Sequence, residues 1–185
     1  MKILFIQLSD LHIIRYNEKL ERKIVSLLDN VNTEAESANI VFVVVSGDIT
    51  AHGRKDEYLE ASKIFQKIKE SVPTSSGKLP EFIFVPGNHD CCFDNEIETK
   101  DRESLIKDTI SVNKISTGVI NIACKVQNNY EDFLLGSSTK PIEKQKLFTI
   151  WNFVINDFSI NFFCFNTAWM SMKDEVKSEQ PGKMF

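Results

Sequence analysis

The chain has 185 residues, 42% of them apolar and 26% charged, which fits one soluble domain with a sizeable core and excludes a disordered or fibrous chain. Its formal net charge is -4, so it lacks the basic face behind a strong non-specific nucleic-acid footprint. No apolar run approaches the roughly 20 residues of a spanning helix, so no membrane role is expected.

Residues 3–8 are apolar and stop at Ser9-Asp10; this run is too short for a secretion signal and reads as a buried first strand. From Glu18 to Ala38, Leu20, Ile24, Leu27, Leu28, Val31 and Ala35 recur at helical steps. Ile40 to Val45 is continuous and β-branched, the pattern of a strand covered on both faces. A second helix is predicted over Lys55 to Ser71, with Tyr58, Ala61, Phe65 and Ile68 on one side. Pro73 to Pro80 is a loop, and Phe82 to Val85 is a third buried strand stopped by Pro86-Gly87. Residues 91–127 are mixed, with one helix near Leu105 to Val112, and Tyr130 to Leu135 reads as a short helix stopped by Gly136. Residues 147–155 and 158–165 form a predicted β-hairpin around Asn156-Asp157, with Phe158, Phe162, Phe163 and Phe165 packing in core or sheet. Residues 173–185 are polar, carry Pro181-Gly182 and offer no closing element. The class is therefore α/β, with βαβ units and a largely parallel central sheet, ending in a hairpin.

Three polar clusters interrupt the apolar pattern: Asp10-Leu11-His12, Gly47-Asp48 and Gly87-Asn88-His89-Asp90. Each follows one of the three predicted parallel strands, about one βαβ unit after the last. Sites in open α/β sheets gather beyond the carboxyl ends of strands, so the clusters are expected to converge. Carboxylate, imidazole and amide oxygens suit Mn, Fe, Zn or Mg. In an extended turn Asp10 and His12 both reach one ion, because alternate side chains point the same way. Asp48 is placed to bridge two ions, and Asn88 to serve the second. Gly47 and Gly87 allow close backbone approach.

These segments, with Gly47-Asp48-Ile49-Thr50-Ala51-His52-Gly53 in full, resemble in order and spacing the first three motifs of the calcineurin-like metallophosphoesterase superfamily. The middle one, continued through Arg54, Glu57 and Tyr58, looks most like the cyclic-nucleotide-phosphodiesterase-like branch. The resemblance covers residues 3–90 firmly and 130–170 loosely. It implies one half of an αββα sandwich, two divalent ions, a phosphate-ester substrate, and in-line attack by a hydroxide bridging the ions. Asp10 and His12 would hold the first ion, Asp48 would bridge, and Asn88 would hold the second. His89 would face the phosphate, and Asp90 would orient His89. The family supplies three further histidines from later loops, two of them in a Gly-His-x-His segment; here the histidines are His12, His52 and His89. On that count residues 1–185 are expected to be the N-terminal portion of a single domain, truncated before those motifs and apt to self-associate through the open sheet edge.

Blander assignments stand beside these. Loops after strands favour Asp, Asn and Gly for turn reasons alone. His52 is either a solvated turn residue or part of the substrate cleft. Asn166, with Thr167, either lines that cleft or caps a strand, and Trp169 lies in the core or at the open edge. Cys91, Cys92, Cys124 and Cys164 are not spaced as a disulfide framework or zinc ribbon; Cys91 and Cys92 read as inert buried thiols, and the cytoplasm is the expected compartment. The alternatives to a phosphodiesterase are a non-catalytic or regulatory interaction module and an inactive fragment of the enzyme.

Overall fold

The computed structural model describes residues 1–174; most of the polar stretch expected at 173–185 lies outside them. Strands β1 (Ile3–Leu8), β2 (Ile40–Ser46) and β3 (Glu81–Val85) form a parallel sheet in the order β1-β2-β3. The βαβ links are α1 (Glu18–Glu36) and α2 (Lys55–Ser71). The Asn17 side chain caps α1 by accepting from the Leu20 N–H at 3.0 Å, and Glu57 caps α2 by accepting from the Arg54 N–H at 3.2 Å. Strand β2 is central, and its continuous apolar run is buried on both faces.

A separate antiparallel sheet holds β4 (Glu143–Lys144), β5 (Phe148–Ile155) and β6 (Phe158–Phe165). Asn156 takes φ +52° at the tight turn between β5 and β6, a conformation asparagine tolerates. The two sheets pack face to face: Phe42 of β2 meets Phe162 at 5.1 Å and Phe153 at 4.8 Å between ring centroids. On the other face of the parallel sheet, Phe65 of α2 meets Phe82 at 5.6 Å and Phe84 at 5.1 Å. The result is helix, parallel sheet, antiparallel sheet, in layers.

Three expectations need correction. Residues 91–127 are mostly helical, with α3 (Glu96–Val112) and α4 (Thr117–Ala123), rather than one short helix. The buried side of α3 is Thr99, Arg102, Ile106 and Thr109, so apolar periodicity is almost absent there. Arg102 donates to the carbonyls of Ala123, Trp169 and Ser171, each at 2.7 Å, and lies over the Phe93 ring. The fifth helix, α5 (Asn128–Gly136), begins earlier than expected and packs against α2. Of the four phenylalanines in β6 only Phe162 is covered; Phe163 and Phe165 point away from the core and Phe158, on the inner face, stands at the strand end, so all three are 63–66% exposed. Trp169 is half-buried. No helix among the described residues is long and apolar enough to cross a membrane.

Candidate metal centre

Beyond the carboxyl ends of β1 and β2 the two chains stay zipped together. The N–H groups of Asp10, His12 and Ile13 donate to the carbonyls of Gly47, Asp48 and Ile49 at 3.3, 3.0 and 3.0 Å. The loop after β3 joins them, since the His89 N–H donates to Asp48 Oδ1 at 2.9 Å. A Cβ on Gly87 would stand 2.1 Å from that same oxygen, so the residue here must be glycine for the loops to close this tightly.

The brace is Asp90. It is fully buried, and its carboxylate accepts from Gly87 N–H at 2.9 Å, Ile49 N–H at 3.2 Å and Thr50 N–H at 3.1 Å. Hydroxyls of Thr50 and Tyr58 add bonds at 3.2 and 2.9 Å. Burial pushes this carboxyl up, and the donors oppose that shift. Asp90 was expected to orient His89. Its oxygens instead tie the second loop to the third, and the partner at His89 Nδ1 is the Ala51 carbonyl oxygen at 2.9 Å. Since a carbonyl only accepts, Nδ1 is the donor in that bond, and Nε2 is turned to the other side of the ring.

Asp10, His12 and Asp48 take φ of +54°, +45° and +51°. The other described non-glycine residues with positive φ, Asn113 and Asn156, sit at a helix end and a hairpin turn, where asparagine is ordinary. Left-handed backbone at aspartate and histidine is uncommon, and its clustering marks a site the surrounding bonds over-determine. It also means that the first loop is not extended, contrary to the basis for pairing Asp10 with His12.

One ligand atom each from His12, Asp48 and His89 lie within 4.8 Å of one another, and the two imidazoles meet edge to face at 4.4 Å. Asp10 is exposed and outside this group, although its charge reaches Asp48. Burial pushes the Asp48 carboxyl up; the His89 N–H and the two imidazoles pull it back. Asn88 is half-buried at the start of the 3₁₀ turn Asn88–Asp90. Two imidazoles and a carboxylate around one point form a donor set that suits a borderline divalent ion.

The two cleft candidates are held elsewhere. His52 is exposed and its Nδ1 lies 2.7 Å from the buried Glu57, whose carboxylate also accepts from the His52 N–H at 2.9 Å. Asn166 exchanges bonds with the Gln127 amide at 2.7 and 3.2 Å and donates to the Lys146 carbonyl at 2.9 Å, which closes the end of β6. Cys91 is buried with its thiol pushed up to about 12 by desolvation, so it stays protonated and inert. Sequence reasoning missed the structural parts of Thr50, Tyr58 and the Ala51 carbonyl. A threonine inside Gly47-Asp48-Ile49-Thr50 and a tyrosine on the inner face of α2 were the available signals.

Against known proteins, the calcineurin-like phosphoesterase family matches residues 3–171, and the chain belongs to that family. Its substrate is accordingly a phosphate ester and its chemistry metal-dependent hydrolysis. No curated protein and no solved structure gave a significant match.

Proposed function

We propose that this chain carries the metal-binding part of a phosphodiesterase that works with two divalent ions. The observation behind this reading is the meeting of His12, Asp48 and His89 at the carboxyl ends of the parallel strands, with left-handed backbone at His12 and Asp48 and the loops braced by Asp90. Bound ions would neutralise the phosphoryl oxygens and lower the pKa of a bound water. Asp10, His12 and Asp48 hold the first ion in this proposal, and Asp48 and Asn88 hold the second, with Mn, Fe, Zn or Mg all compatible with such donors. His89, its ring fixed by Nδ1–H donating to the Ala51 carbonyl, turns Nε2 to the substrate and, when that nitrogen carries a proton, gives it to the leaving oxygen. Asp90 acts through the loops and not on the substrate. His52 and Asn166 stay at the margin of the proposed cleft.

A second reading is favoured by one observation: the His89 ligand atom stands as close to His12 and Asp48 as a third ligand would. His89 then binds the first ion, and another group supplies the proton. Stripping of metal by His89→Ala would select this reading.

The proposed second ion has only Asp48 and Asn88, so further ligands from outside these residues are part of the proposal, with residues 1–185 as the N-terminal portion of the domain. Self-association is proposed through β6, whose sequence has no charge and whose Phe158, Phe163 and Phe165 are exposed. The cytoplasm is the proposed compartment, in keeping with free Cys91, Cys92, Cys124 and Cys164. The test is hydrolysis of an aryl phosphodiester and its monoester with Mn²⁺, in this chain and in a version extended past Phe185. Faster diester cleavage by the longer form is expected. Preference for the monoester sinks the diesterase assignment, and equal turnover by a monomeric short form sinks the ligand count.

A further inference from the structure

A groove of about 380 Å³ runs between α2 and α5, on the helical face of the parallel sheet and away from the metal centre. Its floor is aromatic, with Phe65, Phe82, Phe84 and Phe133 among the lining residues, and Leu59 stands exposed on its rim. Lys55 and Lys69 mark its ends, roughly 21 Å apart along α2 at 1.5 Å per residue. The Asn129 side chain donates to the Gly53 carbonyl near the Lys55 end, and Lys69 Nζ reaches Ser138 Oγ at the other, so α5 runs alongside α2 in the same direction. Asp132 lies between, leaving the Lys69 end with a cation and the Ser138 hydroxyl, while the Ser137 hydroxyl is turned to the Leu134 and Thr139 carbonyls.

The geometry points to a second binding site here, for an elongated apolar molecule with one anionic end, of the fatty-acid type. The apolar body lies on the phenylalanine floor and the acid group sits at Lys69 and Ser138. The groove's volume lies within the range of about 300 to 1,000 Å³ usual for small-ligand pockets. The charge decides the sign of the head group, because two lysines face one carboxylate along the groove. Tyr58 lines the groove with its ring and donates its hydroxyl to Asp90 at 2.9 Å, so a bound molecule would lie one hydrogen bond from the braced loops.

The site is independent of the metal reading and is tested on the metal-free chain with the fluorescent anion anilinonaphthalene sulfonate, displaced by laurate or by laurylamine. Gly136 lines the groove and a Cβ there meets nothing within 4 Å, so Gly136→Leu can enter the groove without disturbing the helix. Gly136→Leu and the rim variant Leu59→Glu are expected to abolish saturable binding, and Lys69→Glu to weaken it about fivefold or more. Phe163→Glu, on the exposed face of β6, is expected to leave it unchanged, and laurate to displace the probe where laurylamine does not. Absence of saturable binding overturns the proposal. So does binding that survives Gly136→Leu and Leu59→Glu but is lost in Phe163→Glu, or equal displacement by the amine.

Discussion

Two buried charges organise this molecule, and they do opposite things. Asp90, 0% exposed, gathers donors from both neighbouring loops and from α2, and so holds the backbone beside it in an uncommon conformation. Arg102, 2% exposed, gathers three carbonyls and pins residues 169–171 against α3 and α4. Asp90 braces loops whose other side chains are aimed at a common point. Arg102 serves a region whose polar groups are turned inward on one another. The lesson is that a buried charge signals a ligand site only when the groups it organises point elsewhere.

The largest expected effect is Asp90→Ala, which leaves several buried donors without a partner. Loss of about 3–5 kcal/mol of stability together with loss of metal binding is expected, by chemical denaturation and Mn²⁺ titration. Intact metal affinity in the folded variant would dissolve the distinction. Next is His89→Ala, expected to lower turnover about 100- to 1000-fold in the active enzyme while the metal content holds. Arg102→Met is expected to cost at least about 3 kcal/mol, since three carbonyls lose their donor. Its Mn²⁺ affinity should match the parent's, and a parallel loss would make the two charges alike. Tyr58→Phe removes one of the donors to Asp90 and should cost about 1 kcal/mol, with a small fall in metal affinity. His52→Ala removes the ring's bond to the buried Glu57 carboxylate and should cost about 1 kcal/mol or less while leaving metal binding alone.

The same contrast explains what the sequence reveals. Around β1, β2 and β3, apolar runs end abruptly in Asp, His and Asn, so strands, links and the three polar clusters are all legible from pattern. The hairpin is legible too, because Asn156-Asp157 separates two aromatic runs. In residues 91–127 the buried side of α3 is threonine and arginine, and no apolar period announces the helix. The roles of Asp90 and Asn166 depend on which partner a polar group meets in space, and spacing does not carry that. The left-handed backbone at Asp10, His12 and Asp48 is likewise invisible in sequence, since glycine is the usual signal for it. Outward phenylalanines in β6 resemble core ones, because alternation alone does not say which face is covered.

The central claim is that the loop carboxylate Asp48 binds metal. Mn²⁺ content and affinity of the purified chain, measured beside Asp48→Asn, test it most directly, because Asp48 faces both imidazoles and accepts the His89 N–H. The account predicts that the parent binds Mn²⁺ and that Asp48→Asn, folded to the same degree, loses it; equal metal content in the two proteins would contradict it.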